Sequence, residues 1–291
     1  MKKFILVTVG LFTFLLLTAC GSNSEDKDQV SLKELQEKGT IKVGFANEKP
    51  YGYENSEGEL TGASVETAKA VFAELGIDNV EGHLADYDQL VPGLGAKKYE
   101  AITSGMAITP ERCENAAFGE PDMKYGEGLI VKKGNPHNLK SYKDIAGNKD
   151  ITISIMSGAT ENEFVTSEGV DDAQIQSAPD IPATIAAVES GRADATTGTE
   201  MTLLMALDSA DSDNLEFVED FKQPDISGVP SYGAVAFHPN NKELLAAYNE
   251  KLSELKENGS LAKILEENGF DAERNFPEAD VTADSICKAE K

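Results

Sequence analysis

Positive charge is scarce in this 291-residue chain. Its 26 lysines and arginines stand against 51 aspartates and glutamates, a formal charge of −25. A surface this acidic repels phosphate backbones and anionic headgroups, which excludes nucleic acid as a partner and charge-driven membrane binding. Histidine is nearly absent: His83, His137 and His238 are scattered without ligand spacing, so no metal site is expected. Cysteine is limited to Cys20, Cys113 and Cys287, with no Cys-x-x-Cys pair. A Walker loop, a Gly-x-Ser-x-Gly elbow and a Gly-x-Gly-x-x-Gly fingerprint are also missing. No cofactor and no catalytic residue are therefore expected. Beyond the first twenty residues, no apolar run reaches the ~18 residues a membrane span needs.

That first run is a processing signal rather than a fold element. Lys2 and Lys3 precede an apolar stretch from Phe4 to Leu17, broken only by Thr8, Gly10 and Thr13. Leu17-Thr18-Ala19-Cys20 then resembles the lipobox of bacterial lipoproteins; an ordinary secretory peptide cleaved after an alanine is the alternative. The resemblance implies a signal peptide over 1–19 and a diacylated Cys20 as the new N-terminus. Residues 20–39 become a lipid-anchored tether, starting with Gly21-Ser22-Asn23-Ser24, followed by a short helix. Two acyl chains anchor stably where one does not. Cleavage removes Lys2 and Lys3 and no acid, so the charge of −25 becomes −27. The expected location is the outer face of the cell membrane, held by the lipid alone.

The rest alternates strand and helix. Strands are expected at 40–46, 80–86, 99–108, 127–136, 150–160 (running into a Gly-containing loop), 173–179, 193–198 and 231–239. Helices are expected at 62–75, 141–148, 161–167, 181–193, 241–257 and 260–268. A helical turn over 87–98 is broken at Pro92 and Gly93. This rhythm predicts an α/β fold with parallel sheets. The pattern restarts near residue 127, and the tail helices have no sheet of their own. Two α/β lobes follow: lobe one from 40–130 with 234–291, lobe two from 131–233. Strands 127–132 and 232–237 would be the crossovers, and the cleft between lobes is the default ligand site.

"GMAITPERC" (105–113) carries the first functional signal. Thr109 reads as a helix N-cap, Pro110 as the first helical residue, and Arg112 lies in the first turn. An arginine at a helix start offers a planar fork to a carboxylate. With "VGFANEKPYGY", "YDQLVPGLGAKKYEAITSGMAITPER", "GLIVKKGNP", "SYKDIAG" and "ESGRADA", the chain from about 40 to 275 resembles the extracellular solute-binding proteins of ABC importers, in the polar amino acid branch. Within it the chain is most similar to the ectoine/hydroxyectoine-binding proteins. The resemblance implies a bilobed periplasmic-binding-protein fold, no enzymatic activity, a membrane permease as partner, and a small zwitterionic ligand.

The resemblance also implies roles. Arg112 would clamp the ligand carboxylate, Tyr51 and Tyr87 would face its cation, and Glu48 would bond its N–H groups. Gly105 and Ala107 would offer backbone groups. Apart from the resemblance, Ser157-Gly158-Ala159-Thr160 opens a helix whose free N–H groups would reach the carboxylate from lobe two, with Thr160 as the contact; a plain N-cap is the alternative. Thr199 stands where amino-acid binders carry an ammonium-pairing aspartate, which argues against an ordinary α-amino acid. Ala107 stands where ectoine binders carry a phenylalanine, so one aromatic wall is missing. A polar amino acid binder and, on the same fold, a dehydratase-type enzyme are the alternatives. In the oxidising compartment implied by the lipobox, Cys113 and Cys287 are allowed to pair; spacing does not show that they meet, and a disulfide is the expectation. The protein is expected to be a monomer from a Gram-positive organism.

Overall fold

A computed structural model describes residues 30–289. The signal peptide, Cys20 and most of the tether lie outside the described residues. Two five-stranded sheets form the body. The first runs, in spatial order, Asn79–Leu84, Thr40–Phe45, Ala101–Ile102, Ala236–Phe237, Ala117–Phe118. The second runs Ile175–Ala178, Ile153–Met156, Ala195–Thr199, Glu127–Lys132, Leu215–Phe217. Three strands at one end of each sheet are parallel, as helical crossovers require, and the last joins are antiparallel.

The helix Ala63–Glu74 shows why the pattern was readable. Its buried residues include Val65, Ala68, Val71 and Phe72, one stripe at helical spacing. Phe72 packs against Tyr248 of the long helix Lys242–Glu257, whose own buried stripe is Leu244, Tyr248, Leu252 and Leu255. The tail helices therefore return to the first lobe, and Leu261 and Leu265 join the same core.

Several sequence expectations are corrected. Glu127–Lys132 is not a crossover. Five of its six residues are buried, and it pairs on both edges inside the second sheet. The lobe boundary placed at 130/131 falls within this strand. The segments that pass between lobes are Met123–Tyr125 and Ser231–Gly233, paired antiparallel with Ser231 opposite Tyr125. The single strand expected over 231–239 is split between that ribbon and Ala236–Phe237 of the first sheet. Pro92 does not break a helix: it sits in the first turn of Leu90–Gly95, where its missing N–H would have no partner. The strand expected over 99–108 is reduced to Ala101–Ile102, and the residues after it form the site loop. A helix over Glu200–Ala210 and a strand over Leu215–Phe217 lie where the sequence reading has none.

Candidate functional site

The first lobe supplies the floor of a narrow cavity between the two lobes. Glu48 and Tyr51 lie on a tight turn closed by reciprocal bonds, Glu48 N–H to Gly52 O at 3.0 Å and Gly52 N–H to Glu48 O at 3.0 Å. The start of the helix Ala63–Glu74 pins this turn. Its free N–H groups donate to Pro50 O (Ala63, 2.8 Å) and Tyr51 O (Ser64, 3.0 Å). Tyr87 opens a short 3-10 turn, and Ser104, Gly105 and Ala107 follow the strand Ala101–Ile102. The second lobe supplies Met156, Ala159, Thr160, Glu161 and Thr199, at or just beyond the C-terminal ends of its strands. Carboxyl ends of strands are where open α/β sheets bind ligands.

Seven of the eight ligand residues expected from the sequence line this one cavity: Glu48, Tyr51, Tyr87, Gly105, Ala107, Thr160 and Thr199. Arg112 stands behind the wall. Thr109 caps its helix as expected, accepting from the Arg112 N–H at 3.2 Å, with Pro110 at the first position. The guanidinium donates to Ala107 O at 2.8 Å and, across the cleft, to Gly158 O at 2.9 Å. It lies 5.5 Å from the Tyr87 ring centroid. Gly105 has a reason other than ligand approach. Its φ is +57°, and an added Cβ would fall 2.3 Å from the Tyr51 ring. Thr160 precedes the helix Glu161–Ser167 but makes no side-chain cap.

The lobes are closed on each other. Tyr51 Oη donates to Thr199 Oγ1 at 2.8 Å, and Thr202 Oγ1 donates to Glu48 Oε1 at 2.8 Å. Ser157 Oγ donates to Asp88 Oδ2 at 2.8 Å at the cleft edge.

Sequence reasoning missed Tyr125, Glu161 and Glu127. Tyr125 comes from the passing segment Met123–Tyr125. It meets the Tyr51 ring edge-on at 5.4 Å and donates to Gly105 O at 2.7 Å. It therefore supplies a third ring on the cavity wall, where Ala107 had suggested a gap. Glu161 and Glu127 are buried carboxyls; an acid opening the apolar run Gly128–Val131 was the legible anomaly.

The site is electrostatically unbalanced. Burial pushes the Glu48 carboxyl up to about 7, opposed by the Thr202 hydrogen bond, with Glu161 pushing further and Arg112 pulling back. Burial also raises Glu161, and it raises Glu127 well above the carboxylate range, where Glu161 and Glu48 add repulsion. Burial holds the Tyr87 hydroxyl at about 12, so it stays neutral. Three buried acids and one guanidinium thus act on one another in and around the cavity. Among the described residues, no three His, Cys, Asp or Glu side chains are placed to hold a metal ion.

Residues 41–270 match the model of the bacterial extracellular solute-binding proteins, family 3, and the chain belongs to that family. It is 35% identical over 263 residues to a "Probable amino-acid ABC transporter periplasmic-binding protein" of Sinorhizobium fredii, covering 89% of this chain and 86% of that one. It is similar to the crystal structure of EhuB in complex with hydroxyectoine, at 32% identity and a TM-score of 0.81, covering 89% of this chain and 98% of that chain. The crystal structure of an ancestral amino acid-binding protein, a precursor of cyclohexadienyl dehydratase, matches at 28% identity and a TM-score of 0.70, covering 81% of this chain and 98% of that chain. The two-lobed fold expected from the sequence is the fold of this family.

Proposed function

We propose that this protein is the ligand-capturing component of an ABC importer. It takes a small zwitterion between its lobes and presents it to a permease; ectoine or hydroxyectoine is the favoured cargo. The observation that carries this reading is the cavity wall itself. Tyr51, Tyr87 and Tyr125 surround it, Glu48 and Glu161 line it with acids, and Arg112 stands behind it, over the Tyr87 ring. Aromatic faces and acids suit a cation, each cation–π contact contributing about 0.5–2 kcal/mol. The guanidinium has donors beyond the two it spends on Ala107 O and Gly158 O, which leaves a fork for a carboxylate. Likeness to the hydroxyectoine complex supports the cargo, and Tyr125 adds a third ring to the cavity wall.

A polar amino acid is the second reading, favoured by the amino-acid transporter relative. Transport rather than catalysis is the reading for this chain. Closure follows from ligand contact with both lobes, because only differential affinity for the closed state shifts the population. Cys20 is the proposed lipid attachment, at the outer membrane face. Labelling with palmitate tests it, and unchanged detergent partitioning of Cys20→Ala would contradict it. A thermal-shift screen over ectoine, hydroxyectoine, glycine betaine and the polar amino acids tests the cargo. Ectoine and hydroxyectoine are expected to raise the melting temperature most. A larger shift with an amino acid would replace them.

A further inference from the structure

Glu127 has no role in the reading above, and its surroundings are unusual. It is 1% exposed, and neither of its carboxyl oxygens meets an N–H or hydroxyl donor. An unpaired buried acid is costly to keep. Its backbone is held by Gln223, which accepts from the Glu127 N–H at 2.8 Å and donates to its carbonyl at 2.7 Å. In the antiparallel pairing Glu127 stands directly opposite Thr199. Directly paired residues project from the same face of a sheet. The Thr199 hydroxyl on that face meets Tyr51 across the cleft and lines the cavity. The Glu127 carboxyl also interacts with Glu161, a cavity-wall residue. As two carboxylates these groups could only accept, and neither could satisfy the other. One proton between them resolves the conflict, as in other close carboxyl pairs.

We propose that Glu127 and Glu161 form a carboxyl pair on the second-lobe side that holds one proton in the ligand-free protein, gives it up on binding, and grips an N–H-bearing organic cation. Glu127 supplies its carboxyl from the strand paired with Thr199, on the sheet face that carries the Thr199 hydroxyl to the cavity. The pair makes the site selective for ligands whose positive end can donate hydrogen bonds. A quaternary ammonium has no N–H to offer and would leave the buried oxygens unpartnered. This inference rests on the solute-binding reading and names the chemistry of the cation end.

The sign of the pH effect follows. The groups facing the pair are Glu48 from the turn, Arg112, and the neutral hydroxyls of Tyr51, Tyr87, Tyr125 and Tyr142. A bound cation favours the ionised pair. Affinity therefore rises with pH while the free pair still holds its proton, and flattens once it does not.

The test has two arms. On ligand-free protein at neutral pH, infrared difference spectra of wild type against Glu127→Gln and Glu161→Gln should show a protonated-carboxyl band that either substitution removes. The same band in wild type and both variants, or no such band in any, would overturn the shared proton. Calorimetry with ectoine, L-arginine and glycine betaine forms the second arm, run in buffers of unlike ionisation enthalpy at mildly acidic pH. Ectoine or L-arginine should bind more tightly than glycine betaine and release about one proton. Glu127→Gln should weaken that ligand at least about tenfold and abolish the release. Should Glu127→Gln fail to fold, Glu161→Gln carries the same expectation. Unchanged affinity and proton release in the variants would overturn this inference alone. Binding of none of the three by wild type would overturn it together with the solute reading.

Discussion

Gly105 shows how a single residue holds the site. Its positive φ and the Tyr51 ring leave no room for a side chain, while its carbonyl accepts from Tyr125. Gly105→Ala is expected to displace Tyr51, lower the melting temperature and weaken ligand binding; unchanged binding and melting would refute this. Arg112 can be tested just as directly. In the proposed role as carboxylate clamp, its removal would leave a ligand anion unpaired in a closed cleft, a loss of about 2–5 kcal/mol. Calorimetry on Arg112→Ala should therefore show at least about tenfold weaker binding, and Arg112→Lys should also be weaker because a point charge cannot replace the fork. A third residue lies away from the cleft. Asp122 is fully buried beside the passing segment, with both carboxyl oxygens unpartnered, and burial lifts it to about 7 against the opposing charge of Lys256. A carboxyl raised on folding favours the folded state while protonated. Its contribution is whole below about pH 4 and fades as pH climbs through about 7. Asp122→Asn should therefore raise the melting temperature at alkaline pH and change it little in acid. Equal effects at both would rule this out.

At the scale of elements, the short terminal helix Ala283–Cys287 is fastened to Pro110–Cys113 by the Cys113–Cys287 disulfide, with Cα atoms 5.7 Å apart. Ala283, Ile286 and Cys287 pack into the cluster around Leu90, Leu94 and Tyr99, under the elements that carry Tyr87 and Arg112. The bridge spans 174 residues of sequence. Closing so long a loop contributes about 4–5 kcal/mol in the entropic model. Cys287→Ser should therefore lower the melting temperature under non-reducing conditions, and equal melting of variant and wild type would contradict the contribution. What the sequence made legible was local. The apolar stripe of 63–74, the Thr109–Pro110 helix start and the glycine after Lys38 each report on their own backbone. What stayed hidden depended on pairing. That Glu127 lies opposite Thr199, and that Tyr125 reaches Tyr51, are facts about strands far apart in sequence. The helix Glu200–Ala210 is a different case: Met201, Leu203, Leu204, Met205 and Leu207 make it apolar on nearly every face, so no stripe at helical spacing stood out.

At the scale of the molecule, the lobes meet through few bonds, and most of them involve site residues. Tyr51 to Thr199, Thr202 to Glu48 and Arg112 to Gly158 all cross the cleft. The paired segments Met123–Tyr125 and Ser231–Gly233 are the only ribbon linking the sheets among the described residues. Tyr125 lies both on that ribbon and on the cavity wall. In the proposed function this cavity takes a small zwitterion by its two charged ends at once. Calorimetric titration of the full mature protein with ectoine, alongside Arg112→Ala and Glu48→Gln, tests it most directly. The account predicts one-to-one binding to wild type and at least about tenfold loss in each variant. Ectoine binding of equal strength in all three proteins, or none to wild type, would contradict it.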